Sequence, residues 1–346
     1  MSILVLNAGS SSVKSALFAT DLTALDSLTI SEVTNHAAAI ATILDHYARH
    51  TLTASAHRVV HGGDVLTAAT RVTPQVRAQI AALIPLAPLH NPAALAGIDA
   101  VTTLAPNLPQ VACFDTAFHA TNPRVATTYA IPVTPGIRRY GFHGISYADL
   151  ARRVTPQPDR LLALHLGNGA SLCAIKAGQS VATTMGYSPL DGLTMGTRSG
   201  SIDPAAVLAL ARLHGIDGAE TLLNRHSGLA ALGGASDMRT LSATGTRAAR
   251  FAIGHFTYWA IRHAGSMIAA MGGIDALAFT GGIGENDPNI RAAIMEGLAF
   301  TGLVMDAAAN AEGEARLHTD RSPVAAWIVP AREESAIARA ALDLLA

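Results

Sequence analysis

Charge is scarce in this chain: 14% of its 346 residues are Asp, Glu, Lys or Arg, and the formal net charge is -1. Without a basic field, nucleic acid and anionic membrane are excluded as main partners, and any anion must be held locally. Cysteine is scarcer still. Cys113 and Cys173 sit in separate apolar runs without metal or redox spacing, which predicts buried, reduced thiols. No apolar stretch reaches the ~18 residues that span a bilayer without Gly or charge interrupting it. Asn7 and the serines after it cut the first apolar run too short for a signal-peptide core, so the expectation is a cytoplasmic protein. Lysine is nearly missing, and Lys14 and Lys176 stand alone against a background of arginine. A flexible ammonium at Lys14 is therefore a candidate anion ligand, a solvated strand end being the plainer reading.

Small and apolar residues fill the space that charge leaves. Half the residues are hydrophobic, and at roughly 150 residues per domain the length predicts two domains. One pattern occurs twice. Ile3-Leu4-Val5-Leu6 and Val13 to Phe18 flank Asn7-Ala8-Gly9-Ser10-Ser11-Ser12, as Leu161 to Leu166 and Ala170 to Ile175 flank Gly167-Asn168-Gly169. Each reads as strand, turn, strand, and small residues at such a turn let backbone N–H groups converge on an anion. Repetition of the pattern suggests a duplicated unit holding a polyphosphate.

Further along, His57-Arg58-Val59-Val60-His61-Gly62-Gly63 reads as a strand entering a glycine turn, with Arg58 placed to meet a ligand. The His57 and His61 spacing suits a zinc helix, but the Glu is missing and Val-Val favours a strand. Helices are predicted over 36–50, 74–84 (Thr73 as N-cap) and 93–104, with the prolines at 85, 88 and 92 forcing an extended path between the last two. Val111 to Phe114 reads as a buried strand ending at Asp115, where α/β sheets bind ligands. A helix is predicted from Tyr147, a long glycine-rich loop over 185–200, and helices over 204–213 and from 219 to 271 with Asp237-Met238-Arg239 in a connection. A strand then opens into Gly281-Gly282-Ile283-Gly284-Glu285-Asn286, whose glycine spacing does not fit a dinucleotide fingerprint. A last strand near Trp327 and a helix from Glu333 close the chain.

Taken in order, the Asn7 to Ser12, His57 to Gly63, Phe114 to His119, Gly141 to Gly144, His165 to Gly169, Gly196 to Gly200 and Gly281 to Asn286 segments resemble the acetokinase family, of the actin and sugar-kinase superfamily, along essentially the whole chain. The resemblance implies reversible transfer of the ATP γ-phosphoryl group to acetate with Mg²⁺ or Mn²⁺, in a homodimer. It implies two duplicated actin-like (ribonuclease H-like) α/β lobes with a cleft between them, residues 1–118 plus 334–346 forming the first and 119–333 the second. By position, Arg58 would hold the carboxylate, Arg198 would brace the phosphoryl group, and His143 and His90 would donate to its oxygens. Asp115 would orient Arg58 or hydrated metal, Asn7 and Glu333 would meet at the metal, and Val60, Leu89, Phe142 and Pro189 would enclose the acetate methyl. Lys14, His165, Leu166, Gly167, Asn168, Gly169, Gly282, Ile283 and Gly284 would contact the phosphates, with Asp237, Met238, Arg239, Glu285 and Asn286 around the nucleoside. Ser201, where the family often has an acid, and Arg332, beside the metal site, depart from its pattern. Rival readings are a propionate or other short-chain acyl kinase and a nucleotide-gated binding protein without acyl transfer. A serine hydrolase is weaker, since Gly144-Ile145-Ser146 lacks the second glycine of a nucleophile elbow.

Overall fold

The computed structural model describes residues 2–9, 12–88 and 90–346, and these form two compact units. The first comprises Met1–Ala120, Phe142–Asp149 and Arg332–Ala346, the second Thr121–Gly141 and Leu150–Ala331. Residues 119–120, 142–149 and 332–333, expected in the second lobe, group with the first.

In the first unit, β1 (Ser2–Ala8), β2 (Ser12–Ala19) and β3 (Ala24–Ser31) form an antiparallel meander. The others are β4 (Leu52–Val59), β5 (Thr70–Arg71) and β6 (Gln110–Phe114), and the sheet order is β3-β2-β1-β4-β6-β5. β4 runs parallel to β1, and β6 parallel to β4. Central strands covered on both faces read as continuous apolar runs, as Ile3 to Leu6 of β1 and Val111 to Phe114 of β6 do. The helix Glu333–Leu345 covers one face, setting Ile337, Ala338 and Ala341 against Val5, Ala56 and Cys113. Helices His36–His46 and Asn91–Leu104 cover the other, with Ile40, Ile43 and Val101 against Leu4, Leu6 and Leu17.

The second unit repeats this plan. β7 (Arg160–Leu166), β8 (Ala170–Lys176) and β9 (Gln179–Thr183) form the meander, and β10 (Ala276–Thr280) and β11 (Ala325–Ile328) extend it in parallel. The order β9-β8-β7-β10-β11 matches β3-β2-β1-β4-β6 strand for strand, so the duplication read from two hairpins extends to five strands of each sheet, β5 alone having no counterpart among the described residues. The helix Arg247–Met271 packs on β8.

Several local expectations fail for identifiable reasons. Pro85 lies in a 3₁₀ turn (Ile84–Leu86) and Pro92 in the first turn of the helix starting at Asn91, because first-turn positions need no N–H from proline. The helix expected from Tyr147 begins at Gly144. Helix Pro204–Arg225 continues past 213, with Gly215 at φ 75° breaking its regularity. Asp237 is the N-cap of helix Met238–Thr244, its Oδ1 accepting from the Thr240 N–H at 3.0 Å.

Candidate active site

In the first unit, β4 delivers Arg58 beside the residue that follows β6. Arg58 Nε and Nη2 donate to the two oxygens of Asp115 at 3.0 and 2.6 Å, a side-on fork that suits an ionised carboxylate. Asp115 is 2% exposed, and its N–H continues the sheet by donating to the Val59 carbonyl at 3.0 Å. Burial pushes the Asp115 carboxyl's pKa up, Arg58 pulls against it, and Glu333 adds to the rise. Burial opposes the Arg58 charge, but Asp115, then Glu333 and Glu334, outweigh it and raise the guanidinium's pKa. The pair uses two of the five N–H donors, so Arg58 keeps others for an anion.

His143 and Gly144 are joined to that pair. The Gly144 N–H donates to the Asp115 carbonyl at 2.8 Å, and a Cβ on Gly144 would lie 2.3 Å from the same oxygen. His143 takes a left-handed φ of 59°, a conformation that costs an ordinary residue ~1–2 kcal/mol. Phe142 is buried edge-on to the His61 ring at 5.5 Å, and its carbonyl accepts from His119 Nε2 at 2.9 Å. His61 Nδ1 accepts from the Gly63 N–H at 2.9 Å. Burial lowers the pKa values of His57, His61 and His119 each to about 4, so all three are neutral at pH 7. Asn91 clamps the His61 backbone at both ends, Oδ1 accepting from its N–H (3.2 Å) and Nδ2 donating to its carbonyl (3.1 Å). His90 is half-buried and close enough to favour the ionised form of Asp115. Val60 is half-buried just past β4, and Leu89 lies outside the described residues.

Asn7 and Lys14 face each other across the β1–β2 pair, Lys14 exposed. The Gly9 N–H donates to the Ser12 carbonyl at 2.7 Å, while Ser10 and Ser11 lie outside the described residues. Glu333 begins the last helix with Oε2 4.0 Å from Arg58 Nε. Around Arg58 the acids Asp115, Glu333 and Glu334 outnumber the cation, and an amide oxygen with a carboxylate is the hard oxygen donor set that suits a dication keeping most of its waters. Arg332, which departs from the family pattern beside Glu333, is exposed.

The second unit contains a cavity of about 660 Å³. Gly167, Asn168, Asp237, Met238, Arg239, Gly282, Ile283 and Asn286, all singled out in the sequence, line it together with Ser236 and Asp287. The other candidates frame this space. Leu166 and Gly284 are buried, Gly169 closes its turn by accepting from the Gly167 N–H at 3.1 Å, and His165 is half-buried at the end of β7. Glu285, expected beside the nucleoside, instead spends its Oε1 on the Gly281 and Ala331 N–H groups at 2.8 and 2.9 Å. Arg291, 1% exposed, ties down the end of this short helix by donating to the Gly284 and Glu285 carbonyls at 3.1 and 2.8 Å.

Residues 184–203 contain no helix or strand. Within them the Gly196 N–H donates to the Asn168 carbonyl at 3.0 Å, so the loop touches the cavity wall. Arg198 Nη1 donates to the Pro189 carbonyl at 2.9 Å, and burial alone lowers the guanidinium's pKa. No carboxylate pairs with it among the described residues, which leaves a partly desolvated cation ready for an anion. Asn91 and Arg291 were missed in the sequence because their partners, mostly backbone groups, are brought near only by the fold.

The acetokinase family profile matches residues 23–339. An acetate kinase from Clavibacter michiganensis is 46% identical, the match covering 90% of this chain and 85% of that protein. One from Rhodopseudomonas palustris is 43% identical, covering 97% and 96%. Among solved structures, a Porphyromonas gingivalis acetate kinase superposes with a TM-score of 0.91 at 34% identity, covering 100% of both chains. A Francisella tularensis propionate kinase superposes at 0.92 and 35%, covering 98% of both. A ROK family protein from Streptococcus pneumoniae, at 0.51 and 12%, shows a shared fold alone.

Proposed function

This chain belongs to the acetokinase family, and from that premise we propose how it transfers the γ-phosphoryl group of ATP reversibly to acetate. It is a phosphotransferase with a carboxyl group as acceptor. The observation that carries the site reading is the cavity in the second unit, assembled from three glycine-rich or polar segments far apart in sequence. ATP occupies it, with Lys14 adding charge at the phosphates.

Acetate has a pKa near that of Glu, ~4.3, so it is already ionised at neutral pH and needs no general base. Arg58 holds its carboxylate and Asp115 holds Arg58. A carboxylate oxygen forms a bond to the γ-phosphorus as the bond to the ADP oxygen breaks, and no proton moves. What the protein supplies is alignment and neutralisation of the equatorial oxygens. Arg198 supplies a fixed positive charge, and His143 and His90 donate hydrogen bonds. Magnesium, or manganese, would be held through Asn7 and Glu333 and would supply charge neutralisation at the phosphates. Val60, Leu89, Phe142 and Pro189 make the methyl pocket.

The protein works as a cytoplasmic homodimer; no helix of the described residues is long and apolar enough to cross a membrane. Exposed Leu208, Leu213, Ile216, Phe251 and Tyr258 on the helices of the second unit support self-association. A coupled assay with acetate, ATP and Mg²⁺, each omitted in turn, tests the reading. ADP release must need all three; release indifferent to acetate, or none with all three present, would overturn it. Likeness to a propionate kinase favours running propionate in parallel, since one methylene is worth only ~1–3 kcal/mol.

A further inference from the structure

The loop that carries Arg198 is held by a ring of side-chain contacts. Asp191 lies near its start and Ser201 just past Arg198. The Ser201 hydroxyl donates to Asp191 Oδ1 at 2.7 Å, and the Gly192 N–H reaches the same oxygen at 2.8 Å. The Ser201 N–H then closes onto the Gly192 carbonyl at 2.9 Å, so residues 191–201 form a loop pinned at its neck. Asp191 Oδ2 accepts from Arg139 Nη1 at 2.8 Å, and that guanidinium lies over the Tyr129 ring, 4.9 Å from its centroid. The Tyr129 hydroxyl accepts the Tyr187 N–H at 3.0 Å, anchoring the loop's other approach. Space at this junction is fully used: a Cβ on Gly186 would meet Asp191 Oδ2 at 2.6 Å and the Tyr129 hydroxyl at 2.7 Å.

Arg198 sits inside the pinned segment, its Nη1 on the carbonyl of Pro189, two residues before Asp191. With no acid to aim it, its direction is set by the loop. We infer that Asp191 is a positioning residue for phosphoryl transfer, joining Arg139 to Ser201 and Gly192 so that the Arg198 guanidinium stands where the transferring group needs it. This rests on the role given to Arg198 above. Ser201 is the ring's second half, a neutral hydroxyl able to donate to the carboxylate. The Arg139–Asp191 pair is about one-third exposed on each side, so as a surface ion pair it adds little stability, and its removal should change geometry more than folding. Misplacement by about 1 Å of a group that acts in the transition state costs ~10²-fold in rate.

The test uses the full chain with acetate and ATP, comparing Asp191→Ala, Ser201→Ala, Arg198→Ala and the double variant Asp191→Ala/Arg198→Ala. Asp191→Ala is expected to lower kcat about 10- to 100-fold with the KM for ATP within about twofold, and Ser201→Ala to do the same more weakly. The double variant is expected to be no slower than Arg198→Ala alone, because the two act as a unit. Multiplying losses in the double variant, or a rise in the KM for ATP that accounts for the Asp191→Ala defect, would overturn the proposal. Should Asp191→Ala fail to fold, the kcat against KM split in Ser201→Ala decides. Normal turnover in Arg198→Ala would remove the role given to Arg198; loss there with normal turnover in the Asp191 and Ser201 variants would remove only the positioning role.

Discussion

At the scale of single residues, the proposed site turns on a buried acid, Asp115, to which we assign no proton chemistry. Asp115 is spent on Arg58 through two short hydrogen bonds, and its backbone carbonyl accepts from Gly144. Asp115→Asn keeps the shape but removes the charge that fixes the guanidinium. We expect it to bind acetate with little change, measured by titration, and to lose at least ~10² in kcat; unchanged turnover with lost acetate binding would contradict the assignment. Gly144→Ala probes the same junction from behind. Its methyl would meet the Asp115 carbonyl at 2.3 Å, so backbone must move, at a cost of ~1–3 kcal/mol. A fall in both Tm and kcat is expected, and an unaltered enzyme would show that the junction is slack.

At the scale of elements, the turn from β10 into the short helix Gly281–Asn286 separates folding from binding within two adjacent glycines. Gly281 has φ 80° and a Cβ there would strike the Leu166 carbonyl at 2.8 Å. At Gly282 a Cβ meets nothing within 4 Å, and the residue lines the cavity. Gly281→Ala should therefore destabilise by more than the ~1–2 kcal/mol of a left-handed residue. Gly282→Ala should leave Tm unchanged and raise the KM for ATP several-fold. Thermal melts beside ATP saturation curves check both, and equal Tm losses would mean that the cavity face is misassigned. The buried thiols carry no comparable role: burial pushes Cys113 and Cys173 up to about 12, far from thiolate reactivity.

At the scale of the whole molecule, stability should be linked to acid through His57, His61 and His119. Each is held neutral, its pKa lowered by burial from 6.5 to about 4. Between those values the unfolded chain binds protons that the native one does not, so stability is complete above about pH 6.5 and declines as pH falls toward 4. Each group steepens the decline by up to ~1.4 kcal/mol per pH unit. His119→Gln, which keeps an N–H for the Phe142 carbonyl, should lose less Tm between pH 7 and pH 5 than the parent; parallel curves would contradict the linkage. Much of this architecture was legible before the coordinates. β1, β7 and β10 announce themselves as apolar runs, and the repeated hairpin foretold two matching sheets. β3 and β9 escaped notice because they end their sheets, and β3 alternates between exposed and half-buried residues without an apolar run. The cavity lining was legible where a glycine motif marks it, at Gly167 and Gly282. Asn91 and Arg291 carry no such mark, and Asp191 is one polar residue inside a long glycine-rich loop; each gains its purpose from a partner that only folding brings within reach.

The most direct test of phosphoryl transfer to a carboxylate follows the reaction backwards by ³¹P NMR, with acetyl phosphate, ADP and Mg²⁺. The account predicts that the acyl phosphate signal is replaced one for one by the β-phosphorus signal of ATP. Conversion of acetyl phosphate to inorganic phosphate without ATP would contradict it.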